Sequence, residues 1–137
     1  MSGELENDAS EVHFAELIGI EWLDIAPENA RARVAIRDEL RQPFGLMHGG
    51  VMSSLVESIC SYATAGAVYD DGMAAMGQSI NVTFMRPITE GFAEVHARAR
   101  HRGRTTWVWE AEIRDSEDRI CALSQMTIAV RPRPGQG

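Results

Sequence analysis

Two periodicities divide the chain. From Val51 onward, placing residues 100° apart puts Val51, Leu55, Ile59, Tyr62 and Gly66 on one side of a helix, with Met52 and Ala63 at its edge. Ser53, Glu57, Ser61 and Thr64 fall opposite them. Beyond the break at Asp70-Asp71-Gly72 the period drops to two: Ala93, Val95, Ala97 and Ala99 alternate with Glu94, His96, Arg98 and Arg100. Likewise Trp107, Trp109, Ala111 and Ile113 oppose Glu110, Glu112 and Arg114. Strands are therefore expected over 75–85, 92–101, 105–114 and 120–130, with a hairpin loop around Glu117-Asp118 joining the last two. Upstream, residues 11–18 read as a short helix ending at Gly19, and 20–26 and 30–36 as strands joined by Pro27-Glu28-Asn29.

One long helix with strands before and after it, and no further helices between them, excludes a doubly wound parallel fold. The pattern suits an α+β domain over residues 10–131, in which an antiparallel sheet of about six strands curls around a central helix. Residues 1–9 are polar and expected to be disordered, and 132–137 are expected to form a flexible tail whose prolines stop a strand. A single helix cannot cover both faces of such a sheet, so a second copy is expected to close an exposed apolar face.

Chemistry concentrates at the start of the helix. Pro43 and Gly45 oppose regular structure, so residues 42–47 should be a loop leading into His48-Gly49-Gly50. The first N–H groups of a helix lack internal partners and the macrodipole is positive there, so the amides near Gly49 and Gly50 could stabilise an oxyanion. Glu57, two turns in, could supply an attacking or proton-accepting carboxylate, and Ser61, four residues further, shares its face. Singly, each member is ordinary, because a glutamate on a polar helix face is usually only solvated. The combination carries the reading.

Composition adds limits. With 137 residues, 45% hydrophobic and 24% charged, the chain has the size and make-up of one soluble globular domain. No run of about 18 apolar residues suggests a membrane span, and the acidic start is unlike a signal peptide, so a cytoplasmic location is expected. Cys60 and Cys121 read as reduced packing residues, and the scattered His13, His48, His96 and His101 make no metal spacing. A net charge of -7 argues against nucleic acid as a partner. Yet Arg86, Arg98, Arg100, Arg102 and Arg104 form a local basic stripe, and all thirteen basic residues are arginine, whose fork suits phosphate.

The run Gln42-Pro-Phe-Gly-Leu-Met-His48-Gly49-Gly50, followed by Leu55-Val56-Glu57-Ser58, resembles hotdog-fold acyl-CoA thioesterases, in the branch of the 4-hydroxybenzoyl-CoA and 1,4-dihydroxy-2-naphthoyl-CoA enzymes. The strand from Asn81 to Pro87 and the hairpin from Gly103-Arg104 through Trp107 to Ile113 are similar to the family's as well, so the resemblance covers residues 12–131. Glutamate rather than aspartate at 57 favours this branch over the phenylacetate-pathway relatives. The resemblance implies hydrolysis of an acyl-CoA with an aromatic or other compact acyl group, without cofactor or metal, by a homodimer or homotetramer with active sites across the dimer interface. It implies Glu57 as nucleophile or general base, the Gly49 amide of the partner as oxyanion donor, Gln42 and His48 as orienting groups, and Ser61 as support. Gly50, Asn81, Arg86, Gly103 and Arg104 become substrate-binding candidates, the two arginines for the coenzyme A phosphates. An acyl pocket is expected near Val51, Met52, Leu55, Val68, Met73 and Met76. The alternatives are a non-catalytic acyl-CoA-binding hotdog protein and a thioesterase acting on acyl-carrier protein.

Overall fold

The computed structural model describes residues 13–135. The expected disorder of residues 1–9 lies outside them. The elements run α1 (Phe14–Ile18), β1 (Glu21–Ile25), β2 (Asn29–Ala35), α2 (Gly49–Val68), β3 (Met73–Phe84), β4 (Phe92–Arg102), β5 (Thr106–Arg114) and β6 (Ile120–Pro132), with short 3₁₀ turns at Asp38–Leu40 and Tyr69–Asp71. The strands form one antiparallel sheet in the order β1-β2-β4-β5-β6-β3. This is the hotdog fold, with α2 lying in the curve of the sheet.

Alternation fixes which side meets the helix. Ala30, Ala32 and Val34 of β2, Val95 and Ala97 of β4, Trp107, Trp109 and Ile113 of β5, and Met126, Ile128 and Val130 of β6 are buried against α2. Sheet wraps the helix so far that its buried stripe is wider than the one-sided pattern predicts: Val51, Met52, Leu55, Val56, Ile59, Cys60, Ala63, Thr64 and Val68 are all inside. Two expectations change with it. Thr64 was placed on the polar side and is fully buried, its hydroxyl donating to the Cys60 carbonyl at 2.8 Å and accepting from Trp109 Nε1 at 2.9 Å. Tyr62, expected inside, is exposed and rests on the ring of Trp22. With the turn that follows it, α2 is long and apolar enough to cross a membrane by length and composition, but half of that stretch is buried as the core of the sheet.

The C-terminal boundary also moves. Pro132 still pairs with Met73, the Arg133 amide donates to the Gly72 carbonyl, and the Arg133 guanidinium stacks 3.9 Å from the centre of the Tyr69 ring. Proline stands at an edge-facing end of the strand, where its missing N–H breaks no ladder bond, so the tail begins later than residue 132.

The two faces of the sheet differ from expectation too. The face away from α2 is mainly polar, with a groove of about 590 Å³ lined by Asn29, Arg98, Glu110, Glu112, Gln125 and Asn81 among others. Exposed apolar side chains gather instead on the free edge strand β3, at Met76, Ile80 and Phe84.

Candidate active site

The loop before α2 is held from several directions. The Met47 amide donates to the Ile88 carbonyl and the His48 amide to the Leu40 carbonyl, both at 2.8 Å, while Arg41 pairs with Met47 across an isolated bridge. Gly45 takes a φ of 92°, a left-handed turn position that favours glycine. Gln42 is tied into this turn: its side-chain carbonyl accepts from the Phe44 backbone amide, and its backbone N–H donates to the Leu46 carbonyl.

His48 is the N-cap of α2. Its Nδ1 accepts the Gly50 amide at 2.8 Å, a bond that requires that nitrogen to be unprotonated. One of the two glycine amides expected to face an oxyanion is therefore already engaged. The Gly49 amide has no acceptor among the described residues. It stands at the positive end of the helix dipole with the Phe84 ring against its Cα, where an added Cβ would lie 2.9 Å from Phe84 Cζ.

Glu57 projects from the exposed side of α2 and reaches β3. A Cβ added to Gly77 would lie 2.8 Å from Glu57 Oε1, so the carboxylate rests directly on the backbone there. Among the described residues it accepts no hydrogen bond and forms no ion pair. Burial, with the negative charge of Glu57 added, pushes the Cys60 thiol far above the ordinary thiol range, which makes it inert. Ser61, one turn on from Glu57, has its hydroxyl oxygen buried without a partner among the described residues.

Within one chain these groups do not converge. Eight residues separate Gly49 from Glu57 on a straight helix, about 12 Å at 1.5 Å per residue. The arginines are farther apart. Arg104 borders a cavity of about 510 Å³ with Met73, Arg102 and Val130, whereas the Arg86 amide bonds the Cys121 carbonyl past the other end of β3. Phe84 pairs with Ala122 and Met73 with Pro132, so the whole length of β3, about 36 Å at 3.3 Å per residue, separates them.

Three further sets of expected site residues lie apart from Glu57. Asn81 pairs with Gln125 on the face away from α2 and lines the polar groove there, so it does not join Glu57. Gly103 lines the 510 Å³ cavity with Arg104, and a Cβ added to it would lie 2.6 Å from His101 Nε2 and 2.9 Å from the Thr106 carbonyl. Of the residues expected near an acyl pocket, Val68 and Met73 line the 510 Å³ cavity beside Arg104, while Val51, Met52 and Leu55 are core and Met76 is exposed on β3. Conversely, Gly77 and Phe84 touch the key groups and were not anticipated. An isolated glycine inside a strand pattern marks close approach of something, and that signal was available for Gly77.

The Thioesterase superfamily model matches residues 44–122, more than half of the chain. The chain belongs to the thioesterase superfamily. Relatives agree along most of their length. A 1,4-dihydroxy-2-naphthoyl-CoA hydrolase of Listeria monocytogenes is 32% identical over 118 residues, 86% of this chain and 95% of the relative. The structure of an esterase from Mycobacterium tuberculosis superposes with a TM-score of 0.82 at 33% identity, covering 88% of this chain and 98% of that one. A thioesterase from Haemophilus influenzae gives 0.81 at 30% identity, covering 86% and 82%. This thioesterase is thus a thioester hydrolase on a hotdog scaffold, and the matched span contains His48, Gly49, Glu57 and Ser61.

Proposed function

We propose that the chain hydrolyses acyl-CoA thioesters as a dimer, or a pair of dimers, in which each active site joins Glu57 of one copy to Gly49 of the other. The observation that carries this reading is the free edge of β3. It is twelve residues long, unpaired on one side among the described residues, studded with Met76, Ile80 and Phe84, and touched by both Glu57 at Gly77 and Gly49 at Phe84. An edge of that length and apolarity invites a second strand. Antiparallel pairing of β3 with its own copy about a two-fold axis extends the sheet and lays the two α2 helices side by side in opposite directions. One Glu57 then approaches the other helix's start, which removes the 12 Å obstacle. The same pairing, centred near the middle of β3, brings Arg86 of one copy to the end of the sheet where Arg104 of the other lies, and the two can share the coenzyme A phosphates.

In such a site the Gly49 amide polarises the thioester oxygen. Glu57 then acts in one of two ways. Its carboxylate oxygen adds to the carbonyl carbon, the C–S bond breaks with release of the thiolate, and water cleaves the resulting anhydride. Alternatively it takes a proton from water as the hydroxide adds, and that proton passes to the leaving sulfur. Ser61 supports the water or acyl end through its unspent hydroxyl, and His48 and Gln42 hold the loop that presents the Gly49 amide. The named substrate of the Listeria relative favours an aromatic acyl group.

Glu57→Gln tests the reading. Purified as a folded oligomer and assayed by thiol release from benzoyl-CoA, it should lose about 10³-fold or more in kcat. Wild-type turnover by this variant would reject Glu57 as the reacting carboxylate.

A further inference from the structure

We propose that Gly77 is a positioning residue for Glu57, its missing side chain being the space in which the carboxylate is held. The inference rests on the function proposed above. Gly77 does not take a left-handed φ, so its backbone makes no demand for glycine. What the position excludes is a side chain. A Cβ would meet Glu57 Oε1 and Met126 Cε, each at 2.8 Å, closer than real Cβ atoms approach. Met126 is almost wholly buried and has little room to yield, whereas Glu57 projects from the exposed side of its helix. The carboxylate is therefore the group that an added methyl displaces.

The strand is built around this point. Gly77 pairs with Ile128 and Ser79 with Thr127, so Gln78 is an extra residue, a bulge in β3 directly after Gly77. The bulge resets the alternation: Met73, Ala75 and Gly77 face α2 before it, and Ile80, Val82 and Phe84 after it. Bulges bend an edge strand and re-aim what it carries. Here the bend falls where the carboxylate rests, on the strand that the proposed dimer pairs.

Gly77→Ala should fold, and displacement of the carboxylate by several tenths of an ångström to about 1 Å should lower kcat roughly 100-fold with KM within about twofold. The discriminating variant is Glu57→Asp, which draws the carboxylate back by one methylene. If Gly77 acts through Glu57, G77A/E57D will be no less active than E57D alone. Wild-type kcat in G77A, or losses that multiply in the double variant, would overturn the proposal. Should G77A not fold, the proposal requires G77A/E57A to fold, since removing the carboxylate clears the space; failure of both would make Met126 the constraint and overturn it. An inactive E57Q beside a fully active G77A removes only this inference, whereas an active E57Q removes the function beneath it.

Discussion

The two halves of α2 treat polar groups in opposite ways. In the second half, Thr64 is fully buried and its hydroxyl is satisfied twice, donating to Cys60 and accepting from Trp109, so the core closes around it. In the first half and at its middle, among the described residues, Gly49 has an amide without an acceptor, Glu57 a carboxylate without a hydrogen bond, and Ser61 a buried hydroxyl oxygen without a partner. Core side chains run the length of the helix, from Val51, Met52, Leu55 and Val56 to Ile59, Cys60, Ala63 and Val68, but the three unspent groups lie in its first half and at its middle. Unspent hydrogen-bonding capacity is normally a defect in a folded protein, and its concentration beside one edge strand is what distinguishes a site from a scaffold.

The comparison is tested most strongly by substitutions that should separate activity from stability. E57Q should cost about 10³-fold or more in kcat while moving the unfolding free energy, read by denaturant melts, by less than about 0.5 kcal/mol, as expected of an exposed side chain. Thr64→Val should do the reverse. It leaves the Trp109 indole N–H without its acceptor in the core, so denaturant melts should show a loss of about 1–3 kcal/mol with kcat per folded molecule unchanged. A loss of stability in E57Q, or of catalysis in T64V, would erase the distinction between the two halves.

A smaller effect concerns the β5–β6 hairpin, remote from the site. Burial of Asp115 opposes its ionisation, but amide bonds from Arg119 and Glu117 and the Arg119 guanidinium outweigh it and hold the carboxyl below its usual range. A depressed folded-state value means that its contribution to stability is present above the unfolded value, about 3.9, and is lost as pH falls through the folded one. Comparing wild type with Asp115→Asn by urea melts, the difference should be widest near neutrality and shrink in that acid window, with turnover at neutral pH unaltered. A constant difference across pH would remove the charge from the account.

Much of this was legible in the residues themselves. The strands of the second half alternate so regularly that Trp109, Ala111 and Ile113 could be set inside and Glu110 and Glu112 outside, and the His48-Gly49-Gly50 junction announced a helix start. What was hidden depends on a third dimension. Tyr62 and Thr64 exchanged sides because sheet surrounds α2 over more than half its circumference, which a helical wheel does not contain. Asn81 falls on the face away from α2 because the bulge at Gln78 shifts the alternation by one, and a bulge leaves no unique mark on composition. Arg86 and Arg104 look close in function yet sit at opposite ends of β3, a fact of β3–β6 register alone.

The central claim is that the unspent groups of one helix are completed by those of another copy, and subunit complementation tests it directly. Gly49→Pro removes the amide while suiting the first helical position, and the atoms it would meet are the far end of the Phe84 side chain. E57Q and G49P should each be inactive alone. Mixed at random, they should form heterodimers in which one of two sites has both wild-type groups, restoring about a quarter of wild-type activity. Heterodimers that form but show no activity above either parent would contradict a site shared between chains.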